Sequence, residues 1–322
     1  MLTYLQAAIV GLLQGITELF PVSSLGHSVV LPSLLGWKNL IAAQSAPESF
    51  FLAFLVGLHV ATAVALIVFF HRDWIRLIQA FFHTVKTRRI ETADERLIWL
   101  LIAATIPAGI TGLVFEHLLR VLFARPLLAS IFLIANGLIL LAGERLRRRA
   151  PAPPSAVAPE IPVEQERIGD ILRTSSAANR APRGSAPALS SETCSLANLS
   201  FLEAVLIGAA QVFALLAGIS RSGITMVAGL GRGLSHEDAA RFSFLLATPI
   251  ILAAGLFKLP DLIGRNGDGV RGQILVGSVV AAIAAYLSVR YLTRYFRTRT
   301  LTPFALYCLA VGIGLTIRFA LF

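Results

Sequence analysis

A polar cluster in the first apolar stretch of this chain carries a carboxylate, two hydroxyls and an imidazole. The cluster comprises Gln14, Glu18, Ser23, Ser24 and His27. A charged side chain in a membrane-spanning segment costs about 2.5–3.5 kcal/mol, which makes Glu18 a candidate functional residue. Gln14 lies four residues earlier, so both side chains share one helix face. Their oxygens predict a Mg²⁺ or Ca²⁺ site; the alternative is a structural Glu18 that binds the following loop.

The residues after Glu18 place a serine and a histidine on a predicted loop. Pro21 ends the preceding helix, and Gly26 permits a tight turn. A serine near a histidine can act as a nucleophile with its base, whereas a histidine alone can activate water or accept a phosphoryl group. Glu18, Ser24 and His27 are therefore the candidate catalytic residues. The sequence leaves open whether Ser24 attacks directly or His27 activates water.

A second polar cluster, in the second half of the chain, has the features of an anion-binding loop. Glycines flank a Ser-Arg-Ser sequence, which allows a loop with exposed backbone N–H groups that suit phosphate oxygens. The Arg221 guanidinium matches a phosphate through two parallel hydrogen bonds, and the next helix points its positive end at the same place. The alternative is a purely structural ion pair of Arg221 with Glu18. The predicted anion-binding set is Ser23, Gly218, Ser220, Arg221, Ser222, Gly223 and Thr225.

The two clusters look like copies of one another. At a constant offset of 197 residues, the matched identical pairs are Leu5/Leu202, Ala7/Ala204, Gly11/Gly208, Gln14/Gln211, Leu19/Leu216, Ser23/Ser220, Gly26/Gly223 and Gly36/Gly233. One copy carries the carboxylate and the imidazole, and the other carries the guanidinium. This division predicts a single site that is built between two repeats.

The composition is that of an integral membrane protein. Hydrophobic residues make up 56% of the chain and charged residues 14%, with a mean hydropathy of +0.75. A soluble domain has about 25% charged residues. Six apolar runs approach the length of about 20 residues that a spanning helix needs. These runs are residues 50–70, 97–115, 126–143, 242–257, 274–292 and 301–322.

The two clusters lie in apolar segments, residues 1–36 and 196–233, that contain glycine and charge at their centres. Irregular backbone is tolerated within a bilayer only where it is buried in protein or lines a polar cavity. Each segment is therefore predicted to be a re-entrant helix–loop–helix. The predicted fold is an all-α integral membrane protein with two inverted repeats, residues 1–149 and 196–322, each with one hairpin and three spans.

The net charge of +10 follows membrane topology rather than a nucleic-acid partner. Basic residues cluster in 72–96, 145–149 and 290–299, and the loops between these clusters are less basic. The positive-inside rule assigns the clusters to the cytoplasm and the loops near 120–125 and 258–271 to the outside. Residues 150–195 are rich in Pro, Ser and Ala, and they are predicted to form a cytoplasmic flexible linker.

These motifs resemble the bacitracin-resistance family of undecaprenyl-diphosphate phosphatases. The resemblance is carried by Gln-x-x-x-Glu at 14–18, Pro-Val-Ser-Ser-x-Gly-His at 21–27 and Gly-x-Ser-Arg-Ser-Gly-x-Thr at 218–225, and it extends to 241–249 and 303–307. It implies hydrolysis of undecaprenyl diphosphate to undecaprenyl phosphate and phosphate, with a divalent cation, at the outer face of the bacterial cytoplasmic membrane. The activity recycles the lipid carrier for cell-wall synthesis and opposes bacitracin, which sequesters the diphosphate.

The family's functional residues transfer to matching positions of this chain. The resemblance assigns Gln14 and Glu18 to a metal-binding motif, Ser24 and His27 to the proposed nucleophile and base, and Ser220, Arg221 and Thr225 to the diphosphate-binding loop. Two positions depart from the pattern. Gln14 stands where many members have Glu, which removes a charge from the metal motif, and Ala217 stands where proline is common. The resemblance does not decide between a monomer and a homodimer.

Two other functions use the same residues. A transporter or flippase of a polyprenyl phosphate would also combine inverted repeats with broken helices, and it would bind its anion through Arg221. A lipid-binding protein that has lost activity is suggested by Gln14. Glu18, Ser24 and His27 together favour bond cleavage over both alternatives.

Overall fold

Helices form nearly all of the chain that the structure describes. The structure is a computed structural model that describes residues 2–44, 50–115, 125–149, 196–258 and 269–321, so the predicted linker 150–195 lies outside the described residues. The first half contains α1 (Tyr4–Thr17), α2 (Ser24–Leu34), α3 (Lys38–Gln44), α4 (Phe50–Phe69), α5 (His71–Thr87), α6 (Ala93–Val114) and α7 (Pro126–Arg149). The second half contains α8 (Phe201–Ala210), α9 (Arg221–Leu230), α10 (His236–Phe257), α11 (Arg271–Tyr295) and α12 (Thr302–Leu321), with 3₁₀ turns at Leu196–Asn198 and Gln211–Leu215.

The long helices have the dimensions of membrane spans. Among the described residues, α6, α7, α10, α11 and α12 are long and apolar enough to cross a membrane, and α4 with α5 makes a sixth candidate that bends by 87°. The prediction of an all-α integral membrane protein is confirmed. Some helices extend beyond their apolar runs because polar caps start them early; the Thr92–Glu95 capping box, for example, begins α6. The inverted orientation of the repeats stays a prediction.

The two broken segments begin with the same local structure. The Thr3 hydroxyl accepts a hydrogen bond from the Gln6 N–H, and the Gln6 side chain accepts one from the Thr3 N–H. Ser200 and Glu203, which lie 197 residues later, make the same reciprocal pair. Each capping box satisfies two N–H groups at a helix start that have no partner within the helix. As a result, α1 and α8 start at equivalent positions of the repeat.

Glycines allow the helices of one repeat to approach the helices of the other closely. The α1 helix packs against α11, and α8 packs against α6. A Cβ atom on Gly11 would clash with the backbone of Gly277, and a Cβ atom on the matched Gly208 would clash with the backbone of Ala104. Close backbone contact through small residues is typical of helix packing in membranes. The matched glycines therefore hold both broken segments against long helices.

Asn136 on α7 joins the two helix breaks. Its side-chain NH₂ group donates to the Pro21 carbonyl at 3.0 Å and to the Cys308 sulfur at 3.3 Å. Its side-chain oxygen accepts from the Ser220 N–H at 2.9 Å. Asn136 is fully buried, so these bonds replace water for backbone groups that the breaks leave without helical partners. For a polar residue within an apolar run, the sequence predicts an interhelical hydrogen-bonding role, and these contacts agree with it.

Replacement of Asn136 should destabilise the protein and displace the two breaks. Asn136→Leu leaves the Ser220 N–H buried without a partner and leaves the Pro21 carbonyl with only a long contact to the Cys308 thiol, and each unpaired buried group costs about 1–3 kcal/mol. We expect a lower thermal unfolding midpoint in detergent, and a lower turnover measured on the protein that remains folded. Cys308→Ala is the matched control, because it removes only the weak sulfur contacts with Asn136 and with the Pro21 carbonyl. An Asn136→Leu variant as stable and active as the control would contradict this role.

Candidate active site

Glu18 is the hub at which the two broken segments meet. One carboxylate oxygen, Oε1, accepts a hydrogen bond from Nη2 of Arg221 at 2.5 Å. The other, Oε2, accepts from Nε2 of Gln14 at 3.0 Å and from the Ser24 hydroxyl, and it lies 3.4 Å from Nε2 of His59. Glu18 is 7% exposed, so these partners take the place of water around the carboxylate.

A cavity of about 310 Å³ opens beside this cluster. Five of the predicted residues line it: Glu18, Ser23, Ser24, Ser220 and Arg221. Thr17, His59, Gln211 and Lys258 are further polar lining residues, and the apolar wall includes Val56, Ala108, Ile219, Ile250, Ile251 and Ala254. A polar end with an apolar wall suits a ligand that has a charged head and a hydrocarbon chain.

The starts of α2 and α9 converge on the cavity. Ser24 is the first residue of α2, Arg221 is the first residue of α9, and the two occupy equivalent positions of the repeat, 197 residues apart. Each helix carries a serine N-cap, Ser23 or Ser220, whose hydroxyl accepts a backbone N–H of the first turn. Because helix N-termini carry partial positive charge, two of them at one cavity favour a bound anion.

Ser23 has a strained backbone that the second repeat stabilises. Its φ is +70°, a region that residues other than glycine rarely occupy. The Ser23 hydroxyl accepts from Gly26 N–H at 3.3 Å and from Gly218 N–H at 3.1 Å. Gly218 itself has φ of +112°, so a side chain at this position would be strained. The strained loop that presents Ser24 is thus held across the repeat boundary.

The remaining predicted anion-binding residues shape the loop and do not line the cavity. The Ser222 hydroxyl donates to the Phe20 carbonyl at 3.3 Å, and the Thr225 hydroxyl donates to the Arg221 carbonyl at 2.7 Å. The Gly223 N–H is taken by the Ser220 hydroxyl. These residues therefore position Arg221 and are not themselves placed to contact a ligand in the cavity.

His27 lies beside Tyr307 rather than in the cavity. Nδ1 of His27 is 2.6 Å from the Ser23 carbonyl, which makes it the donor, and Nε2 is 2.9 Å from the Tyr307 hydroxyl. The two rings stack with their centroids 5.8 Å apart. The structure thus pairs Ser24 with Glu18, whereas His27 supports the loop at Ser23.

His59 is the site residue that sequence reasoning undervalued. For an imidazole within the apolar run 50–70, the sequence predicts a hydrogen-bonded packing role at least as readily as a place facing the cavity. In the structure His59 lines the cavity, with Nε2 beside Glu18. Its Nδ1 donates to the Leu55 carbonyl at 2.8 Å, which fixes the ring on α4. The available signal was an ionisable side chain within a span, which is by default a functional candidate. What the sequence could not give was its distance from Glu18.

The predicted cation site on Gln14 and Glu18 does not fit this arrangement. Both Glu18 oxygens already accept hydrogen bonds from protein donors, and Gln14 presents its NH₂ group to the carboxylate. The Gln14 side-chain oxygen is buried and has no hydrogen-bond partner among the described residues, but Gln14 does not line the cavity. The described residues also contain no cluster of three or more His, Cys, Asp or Glu side chains that could hold a metal ion.

Comparisons with known proteins agree with the motifs. Residues 7–314 match the family model described as bacitracin resistance protein BacA. The chain is 58% identical to undecaprenyl-diphosphatase 2 of Frankia alni over 99% of each chain. It is 55% identical to undecaprenyl-diphosphatase of Mycolicibacterium paratuberculosis over 97% of this chain and 95% of that one, and 40% identical to undecaprenyl-diphosphatase 2 of Chromobacterium violaceum over 96% of each. The chain therefore belongs to the BacA bacitracin-resistance family.

Proposed function

We propose that this protein is a membrane-embedded undecaprenyl-diphosphate phosphatase. It hydrolyses undecaprenyl diphosphate to undecaprenyl phosphate and inorganic phosphate, which returns the lipid carrier to cell-wall synthesis and confers bacitracin resistance. The observation that carries the proposal is the cavity in which Ser24 donates to Glu18 and Arg221 pairs with the same carboxylate. A nucleophile, its base and an anion-binding guanidinium are thus assembled at one place, beside an apolar wall for the prenyl chain.

The diphosphate binds at the polar end of the cavity. Arg221 offers a donor fork that matches phosphate oxygens, and the first turns of α2 and α9 add partial positive charge. Because Glu18 is buried and the cavity has an apolar wall, these charges act in a lower dielectric than water and stabilise the charge of the transition state more strongly. Lys258 lines the cavity as well, at the end of α10, and supplies a second cation near the negative head group.

The first chemical step is an attack by Ser24 on the terminal phosphorus. Its hydroxyl proton passes to Oε2 of Glu18, to which it is already hydrogen-bonded. The bond from that phosphorus to the bridging oxygen breaks, and undecaprenyl phosphate leaves with the bridging oxygen. Positioning and charge neutralisation by Arg221 supply most of the catalysis, as is usual in phosphoryl transfer.

The second step is hydrolysis of the phosphoseryl enzyme. Water attacks the phosphorus, the bond to the Ser24 oxygen breaks, and that oxygen recovers the proton held by Glu18. Both protons of the water stay with the product, which leaves as dihydrogen phosphate. His59 lies 3.4 Å from the same Glu18 oxygen to which Ser24 donates, and it helps to hold that carboxylate in place. No step depends on a proton transfer to His27.

A divalent cation is proposed to enter with the substrate rather than with the free protein. Both Glu18 oxygens already accept hydrogen bonds from protein donors. A diphosphate, in contrast, carries several oxygens that bind Mg²⁺ or Ca²⁺. The Gln14 amide contributes no charge beside Glu18, which supports the same assignment. The cation would neutralise phosphate charge, and Glu18 would keep its role towards Ser24.

The proposed location is the bacterial cytoplasmic membrane, with the site open to the outer side. The cavity reaches Lys258, at the end of α10 that the charge pattern assigns to the outside. The exposed basic residues Arg72, Arg145 and Arg290 belong to the clusters assigned to the cytoplasm. Bacitracin would then compete for the diphosphate on the same side of the membrane as the enzyme. Whether the protein acts as a monomer or a homodimer stays a prediction.

The purified protein should release phosphate from undecaprenyl diphosphate in detergent, and Arg221→Lys should lose most of that activity. A lysine cannot reproduce the two parallel hydrogen bonds to phosphate, and loss of one such donor costs about 100-fold or more in turnover. Phosphate release and the thermal unfolding midpoint would be measured together. A folded wild-type protein that releases no phosphate would favour the flippase reading, and a fully active Arg221→Lys variant would contradict the role of the guanidinium.

A trapping experiment should distinguish the role of Ser24 from the role of His27. Rapid acid quenching with substrate labelled in the terminal phosphate should yield a phosphoserine at position 24. Ser24→Ala should lose both the label and turnover, whereas His27→Ala should still form the label, because His27 contacts the Ser23 loop and not the Ser24 hydroxyl. Robust turnover in Ser24→Ala would leave water as the nucleophile.

Cation binding should depend on the substrate. We expect titration calorimetry to show no tight Mg²⁺ or Ca²⁺ binding by the free protein, and binding to appear when a non-hydrolysable diphosphate analogue is present. Gln14→Glu supplies the informative comparison, since the added carboxylate should create measurable cation binding without substrate. Stoichiometric cation binding to the free wild-type protein would contradict the proposal and restore the predicted Gln14–Glu18 site.

A further inference from the structure

The α5 helix is a feature that the catalytic function does not explain. The α4 helix has 20 residues and is therefore about 30 Å long, which is enough to cross a bilayer without α5. At Phe70 the chain turns by 87°, and α5 runs on for 17 residues. A helix that turns through a right angle at the end of a span runs along the membrane surface rather than through it.

Two faces of α5 are apolar, and only one of them is covered by protein. The inner face packs against the core through Leu77 and Phe81. The neighbouring face carries Ile75, Ile78, Phe82 and Val85, which recur at helical spacing and are 54%, 49%, 66% and 53% exposed. In a membrane protein, lipid covers such a face. The geometry places this row level with the end of α4, where the acyl chains meet the head groups.

The opposite face of α5 is basic. Arg72, Arg76 and Lys86 lie on it, and Arg88 and Arg89 follow at its C-terminus; all five are exposed. Between residues 71 and 89 the only acidic residue is Asp73. It accepts from Arg76 at 2.5 Å and from Arg241 at 2.8 Å, so it compensates the charge at one end of α5 alone. Carboxylates near the start of α6 balance part of the remaining charge, because Arg89 lies 3.9 Å from Glu91 and Arg76 lies 3.9 Å from Asp94. Arg72, Lys86 and Arg88 make no ion pair among the described residues, so their charge is available to anionic head groups.

We propose that α5 is an interfacial helix that binds anionic phospholipid head groups at the bilayer surface opposite the active site. An amphipathic helix with a basic polar face binds a membrane through its buried apolar area and through attraction to anionic lipids. Each basic residue near an anionic surface strengthens such binding by about fivefold. The same binding anchors the end of α4, the helix that carries His59 to the cavity.

Lipid preference tests the charge part of the proposal. The full-length protein would be reconstituted in vesicles of phosphatidylcholine and phosphatidylglycerol, and the association of spin-labelled forms of both lipids would be compared. We expect a severalfold preference for phosphatidylglycerol that weakens with salt. The variant Arg72→Gln/Lys86→Gln/Arg89→Gln should lose more than half of that preference.

The matched control removes three exposed basic residues elsewhere on the side assigned to the cytoplasm, as Arg145→Gln/Arg148→Gln/Arg290→Gln. It should keep most of the preference. Equal losses in both variants would show a diffuse charge effect and overturn the assignment to α5, as would the absence of any preference in the wild-type protein.

Spin labels on α5 test its orientation independently. In a Cys194→Ser/Cys308→Ala background, labels at Ile78→Cys and Phe82→Cys should collide mainly with oxygen dissolved in the lipid. Labels at Gln79→Cys and His83→Cys should collide mainly with a water-soluble nickel reagent. Uniform access of the water-soluble reagent to all four labels would place α5 in solution and overturn the proposal, whether or not the enzyme is active.

Discussion

The ion pair of Glu18 with Arg221 is the interaction on which the rest of the structure depends. A buried carboxylate and a partly buried guanidinium are each costly to remove from water, and only a close partner with further hydrogen bonds offsets the cost. The two residues lie on different repeats, 203 positions apart in the sequence. Their pairing therefore requires both helix breaks to face one another, and the packing of the long helices has to permit this.

The protein meets that requirement by satisfying the backbone that the breaks expose. Asn136 binds a backbone group from each break, Ser23 accepts an N–H from each repeat, and Ser222 reaches the carbonyl of Phe20. Around them, Gly11 and Gly208 let the broken segments pack tightly on continuous helices. The irregular loops are thus held by rigid helices on every side, which keeps the strained Ser23 in place and presents Ser24 to the cavity.

The repeat divides the chemistry between two halves that are equivalent in position but not in residue type. Ser24 and Arg221 are the same position of the repeat, and each is the first residue of its helix. In the proposed mechanism Ser24 is the nucleophile with Glu18 as its base, and Arg221 is the anion-binding group. Because helix N-termini favour anions, both halves keep a useful electrostatic role even where their side chains differ. A duplicated broken helix thus provides an asymmetric active site.

The sequence by itself determined the membrane class, the two helix breaks, the repeated motif and five of the nine polar residues that line the cavity. Each of these rests on local information: apolar length, glycine and proline positions, or residue type at a fixed spacing.

Only the tertiary structure decided which side chains meet. Ser24 and His27 are three residues apart, yet Ser24 turns to Glu18 and His27 turns to Tyr307, 280 positions away. His59 reaches Glu18 because α4 packs beside α1. The α5 helix turns by 87° from α4 and carries apolar residues on one side and basic residues on the other, an arrangement that hydrophobic content alone does not show. Contacts between distant segments depend on how helices pack, and packing is a property of the whole chain.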